Sequence, residues 1–123
     1  MNRNLKVFLI EDALRIRSVL IEILQQTGRV DVIGYAEGQA EALQQLRTQE
    51  WDVVIVDIGL REGNGLAVLS NLQNDNKTYG TRIVFTDHPT MQMKARTLAL
   101  GASVFFDKSR DMDQLVSYIQ ALP

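Results

Sequence analysis

"VVIVDIGLREGNG", residues 53–65, is the stretch on which the reading of this chain turns. Residues 53–56 are apolar at every position, which suits a strand covered on both faces, and so a parallel sheet flanked by helices. The run then ends on a carboxylate, Asp57, and passes directly into a loop of Gly and polar residues. Taken alone, an Asp at such a place is an ordinary turn residue that stops a strand. What decides between a stop and a site is whether other strands end in the same way.

Outward from this stretch, short apolar runs recur at "LKVFLI" (5–10), "VDVIGY" (30–35), "RIVFT" (82–86) and "SVFF" (103–106), and with "DVVIVD" (52–57) they predict five strands. The intervals carry helical spacing. Ile16, Leu20, Ile23 and Leu24 form one stripe, Ala40, Leu43 and Leu46 a second, and Leu66, Leu69 and Leu72 a third. Ala95 and Leu98 form a shorter fourth, and Met112, Leu115, Val116 and Ile119 a fifth; each is expected to face the core. Gly28, Gly80 and Gly101 read as C-terminal helix stops, Pro89 suits the first turn of the fourth helix, and Asp111 and Asp113 suit the first turn of the fifth. This alternation predicts an α/β fold, a three-layer (βα)5 sandwich around a five-stranded parallel sheet with right-handed crossovers. No repeat, linker or low-complexity segment interrupts it, and residues 1–123 read as one domain.

Composition narrows the function classes. With 46% hydrophobic residues, 23% charged and a net charge of -2, the chain has the balance of a folded globular domain. The 13 basic and 15 acidic residues leave no electrostatic footprint for nucleic acid. The absence of Cys excludes disulfides, thiolate metal sites and Cys nucleophiles. No apolar run approaches the roughly 20 residues that span a bilayer, and "MNRNLKVFLIED" runs into acids instead of a cleavage site, so a cytoplasmic location without membrane contact is expected.

In an open parallel sheet, ligands bind beyond the carboxyl ends of the strands. The residues there are Glu11 and Asp12 after the first strand, Glu37 after the second, Asp57 after the third, Thr86 after the fourth and Lys108 after the fifth. Glu11, Asp12 and Asp57 crowded together would repel one another unless cations joined them. Lys108 offsets one charge. A divalent ion would offset the rest, and an oxygen-only donor set selects a hard one, Mg2+. Such a site suits phosphoryl transfer, with Asp57 as a carboxylate nucleophile and the Thr86 hydroxyl as a donor to a phosphoryl oxygen.

At this point "VFLIED", "DVVIVDIGL", "GNGLAVL", "IVFT" and "GASVFFDKS" together resemble the receiver domains of bacterial two-component response regulators, over essentially the whole chain. The resemblance implies a flavodoxin-like fold with strand order 2-1-3-4-5 and phosphorylation of Asp57 by a histidine kinase or phosphotransfer protein. It implies Mg2+ held by Asp12, Asp57 and the backbone carbonyl of Gly59, with Glu11 reaching the ion through water. It also implies that Thr86 and Phe105 form a switch pair. The surface of the fourth helix, fifth strand and fifth helix would then serve as readout toward an effector domain, a downstream protein or a phosphorylation-dependent dimer partner.

Each residue has a plainer reading on its own. Glu11 and Asp12 suit a helix start, Lys108 a solvated charge, Thr86 a helix cap, Phe105 core and Trp51 packing. His88, the only His, reads as a surface residue without a catalytic role. "LREGNG" lacks the spacing and Lys of a phosphate-binding loop, so its glycines read as turn formers. The plain readings must all hold at once for the constellation to be accidental. A small phosphohydrolase is a poor rival, because no second acid follows Asp57 in a D-x-D arrangement and no cap domain is present. A phosphate-independent interaction module is the stronger one, favoured by a single residue, Asp87.

Three positions depart from the family pattern. Arg61 stands where Pro is frequent, which bears on loop stiffness. Asp87 follows Thr86 where a small residue is usual, and its charge is expected to slow autophosphorylation relative to Asp87→Ala. Ser109 stands where a Pro often follows the Lys after a cis bond; a cis bond before a non-proline residue costs about 3 kcal/mol, so a trans 108–109 peptide is expected.

Overall fold

The computed structural model describes residues 3–75, 79–87 and 89–123. Strands and helices alternate as β1 (Leu5–Ile10), α1 (Leu14–Gln26), β2 (Val30–Ala36), α2 (Gln39–Thr48), β3 (Val53–Val56), α3 (Gly65–Asn74), β4 (Thr81–Thr86), α4 (Met91–Ala99), β5 (Val104–Asp107) and α5 (Met112–Gln120). All four strand pairings are parallel and the sheet order is β2-β1-β3-β4-β5. The fold class and strand order are therefore those expected from the sequence, with strand ends shifted by a residue or so.

The reason lies in β3. All four of its residues are buried, with Val54 and Val56 packed into one core and Val53 and Ile55 into the other. The first core is closed by α2, α3 and α4 through Ala42, Leu46, Val68, Leu69, Leu72 and Met93; the second by α1 and α5 through Leu20, Leu24, Leu115 and Ile119. Alternate side chains of one strand thus hold the two helical layers to opposite faces of the sheet.

Several local expectations need correction. On α4, Ala95 and Leu98 face outward, whereas Thr97 is fully buried beside partly buried Met93 and Leu100. Thr97 Oγ1 donates to the Lys94 carbonyl at 3.0 Å, and that bond within its own helix lets a polar residue occupy the inner face. Ala40 is likewise exposed, and Ala42 takes the buried place on α2. Pro89 precedes the cap instead of opening the helix: Thr90 is the N-cap of α4, and its hydroxyl accepts from the Met93 N–H at 3.0 Å. Gly80 does not stop α3, which ends at Asn74; it adjoins β4, and a Cβ there would strike the ring of Trp51.

Gly101 does act as a stop. At φ +98° it lets the Ala102 N–H reach the Thr97 carbonyl and its own N–H reach the Leu98 carbonyl, closing α4 with two bonds. Asp113 lies in the first turn of α5, while Asp111 is the N-cap by position; its carboxylate accepts instead from the Asp107 N–H at 2.9 Å. Trp51 packs at the amino edge of β3 and donates to the Leu46 carbonyl at 3.2 Å. No cis peptide occurs among the described residues, so the 108–109 bond is trans. His88 lies outside the described residues. No described helix is long and apolar enough to cross a membrane.

Candidate functional site

The sheet delivers its carboxyl edge as a set of short exits. Beyond β1 the ladder continues one step, with the Glu11 N–H donating to the Ala36 carbonyl at 3.0 Å; beyond β3 the Asp57 N–H donates to the Ile10 carbonyl at 3.0 Å. The Lys108 N–H donates to the Thr86 carbonyl at 3.0 Å. Rigid pairing therefore extends to the residues that carry the charged side chains, which fixes their spacing more tightly than a free loop would.

Glu11, Asp12 and Asp57 each offer a carboxylate oxygen, and these atoms lie within 4.8 Å of one another. Glu11 and Asp57 are buried, at 4% and 6% exposure. The Lys108 ammonium bridges them, 2.5 Å from Glu11 Oε1 and 2.8 Å from Asp57 Oδ2. Burial pushes the Glu11 carboxyl above its ordinary range, against the hydrogen bonds it receives from Lys108 and from the Ala13 N–H, and the nearby charge of Asp57 pushes the same way. Burial opposes the charge on Lys108, but its hydrogen bonds to Asp57 and Glu11 outweigh that cost and hold its pKa above the ordinary value.

Asp12 is more open and faces the β3–α3 loop, where the Arg61 N–H donates to its Oδ2 at 2.8 Å and the Arg61 guanidinium stands 3.9 Å away. Gly59 is exposed, and its N–H donates to Asp57 Oδ1 at 3.3 Å. Thr86 is fully buried at the end of β4, and Phe105 is half-buried on β5 opposite Val84. Asp87, next to Thr86, is exposed. The site residues read from the sequence thus converge on one edge, except that Phe105 lies within the sheet and Glu37 points to a different partner, the Arg17 guanidinium at 3.5 Å.

As a donor set, three carboxylates on one edge, with no imidazole beside them among the described residues and no thiolate in the chain, suit a hard divalent ion and exclude the thiolate-rich sites that select zinc. With one ammonium among three carboxylates, the described cluster keeps a net negative charge that a divalent cation would compensate.

Two supporting roles were not read from the sequence: that of Arg17, and that of Gly65, which reads with the glycines of "LREGNG" as a turn former but is the first residue of α3. Gly65 opens α3 where a Cβ would collide with the backbone oxygen of Asp57 and stand 2.9 Å from the Ile58 Cα, so a bare backbone allows α3 to start against the site. Arg17 is a buried charge on α1, and its signal was available: three residues before Leu20 and seven before Leu24, it falls on the apolar stripe.

The response regulator receiver domain family model matches residues 7–120. Among curated relatives, a protein-glutamate methylesterase/protein-glutamine glutaminase of Desulfotalea psychrophila is 30% identical over 89% of this chain and 30% of its own length. A putative transcriptional regulator of Pseudomonas aeruginosa is 30% identical over 95% of this chain and 56% of its own. The chain thus spans about half or less of these relatives. A LuxR-family two-component response regulator of Aurantimonas superposes with a TM-score of 0.88 at 22% identity, over 96% of this chain and 84% of that one. The Francisella response regulator 1452 receiver domain gives 0.86 at 22% identity, over 95% and 94%.

Proposed function

The chain belongs to the response regulator receiver domains of two-component signalling, and we propose that it works as a phosphorylation-dependent switch whose phosphoacceptor is Asp57. The observation that carries this reading is the Lys108 ammonium, 2.8 Å from Asp57 and 2.5 Å from Glu11, with Asp12 completing the carboxylate group. An Asp57 carboxylate oxygen attacks the phosphorus of a phosphohistidine on a histidine kinase or phosphotransfer protein. The new O–P bond forms as the donor's N–P bond breaks; the electron pair of that bond stays on the imidazole nitrogen, which takes up a proton from solvent. Lys108 donates to a phosphoryl oxygen as negative charge gathers there, and Glu11 holds the ammonium in line.

Asp12, Asp57 and the Gly59 carbonyl would hold Mg2+ directly, with Glu11 acting through water. When bound, the ion supplies neutralisation of charge on the phosphoryl oxygens. Thr86 then turns its hydroxyl toward the phosphoryl group while Phe105 moves inward, which biases the surface of α4, β5 and α5 between two states. That surface is the readout toward an effector domain, a downstream protein or a second phosphorylated copy. The location consistent with such partners is the cytoplasm.

Incubation with acetyl phosphate and Mg2+ should add one phosphoryl group by intact mass, and Asp57→Asn should abolish it. No adduct under varied donors would overturn this reading. The exposed carboxylate of Asp87 beside Thr86 favours a second one, a receiver-like interaction module that signals without phosphate. A Mg2+ titration separates the two, since such a module has no need to bind the ion.

A further inference from the structure

Arg17 is a charged residue in a place that ordinarily excludes charge. It is 5% exposed, yet it sits on the inner stripe of α1. Its guanidinium is held from three directions. Nη1 donates to the backbone carbonyl of Glu11 at 2.9 Å and stands 3.5 Å from Glu37 Oε2, and the Cζ lies 4.0 Å from the centre of the Tyr35 ring. Tyr35 lies on β2 and Glu37 just beyond its end, so one side chain of α1 ties the exits of β1 and β2 together.

The Glu11 peptide is then restrained on both sides. Its N–H is bonded to the Ala36 carbonyl at 3.0 Å and its carbonyl to Arg17. Beyond this peptide come the two side chains that matter, Glu11 on Lys108 and Asp12 facing Arg61. The fork of a guanidinium is suited to such a task, since it bonds in its plane and stacks on an aromatic face at once.

We infer that Arg17 is a positioning residue for the metal and phosphoryl site: clamped by Tyr35 and Glu37, its guanidinium fixes the Glu11 carbonyl and with it the aim of Glu11 and Asp12. The inference rests on the Mg2+ site proposed above. Its charge and its positioning pull in opposite directions, which makes the role separable. As a charge, Arg17 repels a divalent cation, so losing it should tighten Mg2+ binding. As a clamp it orders the ligands, and losing it should weaken binding by about tenfold, the lower range for partners that orient metal ligands.

The test is calorimetric titration of the whole chain with Mg2+ alone, alongside thermal melts. Arg17→Gln is expected to weaken Mg2+ binding about tenfold, and Arg17→Lys to recover part of the loss. Tyr35→Leu leaves every charge in place and removes the stacking face; it is expected to weaken binding a few-fold and decides the matter alone if Arg17→Gln does not fold. Tighter binding by Arg17→Gln overturns the inference, as does unchanged affinity in Arg17→Gln and Tyr35→Leu with only a lowered melting temperature. A wild-type chain that takes up no Mg2+ overturns the proposed function itself.

Discussion

The ammonium of Lys108 donates to Asp57 Oδ2 at 2.8 Å while only 5% of its side chain is exposed. A cation at that distance steadies the Asp57 carboxylate, and in the switch proposed above it would meet the charge that a transferred phosphoryl group brings. Lys108→Met should therefore slow labelling of Asp57 by acetyl phosphate by about a hundredfold, comparable to losing one donor that stabilises a transition state. A rate within a factor of two of wild type would remove Lys108 from the mechanism.

Arg61 engages Asp12 through its backbone N–H, a donor that the Pro frequent at this place in the family lacks. The residue is therefore more than a matter of loop stiffness. Arg61→Pro should bind Mg2+ more tightly than wild type, because Asp12 loses a competing donor and a nearby positive charge. Arg61→Ala keeps the N–H and should fall between the two. Calorimetry that ranks the variants in another order would refute this.

Asp87 is exposed beside Thr86, so its charge acts through solvent. Two unit charges about 4 Å apart in water exchange about 1 kcal/mol, which limits the effect to a few-fold. Asp87→Ala should accelerate labelling by acetyl phosphate by that factor, and the gain should shrink as salt rises. Equal rates at low salt would show that the carboxylate does not hinder the donor.

At Gly65 even a methyl group has no room, since it would meet the backbone oxygen of Asp57. Gly65→Ala should cost about 1–3 kcal/mol of stability through overpacking, read as a lower denaturant midpoint. It should also slow the proposed phosphorylation, because the clash falls on the backbone of Asp57 itself. Unchanged midpoint and rate would mean that the start of α3 is free to shift.

A pH effect is expected at the opposite edge of the sheet. The two hydrogen bonds from Arg3, at 2.8 and 2.6 Å, hold Asp52 below its ordinary value of 3.8, against burial and with help from the Lys6 N–H. A carboxyl lowered by folding stabilises above its unfolded value and loses that contribution as pH falls through the folded one. The melting temperature of wild type should exceed that of Asp52→Asn at neutral pH, and the gap should close below pH 3.8. A gap that persists in strong acid would refute the assignment.

The fold was legible because its strongest signal is local. "VVIV" suits a strand buried on both faces, as in a covered parallel sheet, and the strand exits followed from that reading. Convergence of Glu11, Asp12, Asp57 and Lys108 was legible for the same reason, as strand ends of one parallel sheet share an edge. Hydrophobic periodicity failed where a polar atom is satisfied from within the protein. Thr97 hides its hydroxyl on its own helix, and Arg17 hides a charge on the Glu11 carbonyl and the Tyr35 ring. Counting apolar residues misses both. The bond from Arg61 to Asp12 joins residues far apart in the chain and depends on a loop path that the sequence does not dictate.

Trp51 has a practical consequence. The chain holds a single Trp, and its indole is seated at the amino edge of β3, against Leu46 and beside Gly80, with the length of the strand between it and the acidic edge. Its emission should stay nearly constant when an ion or a phosphoryl group arrives and change sharply when the layers part. Such behaviour would make Trp51 an optical gauge of folding that does not respond to the proposed ligands, so that a variant of the acidic edge could be checked for folding separately from binding.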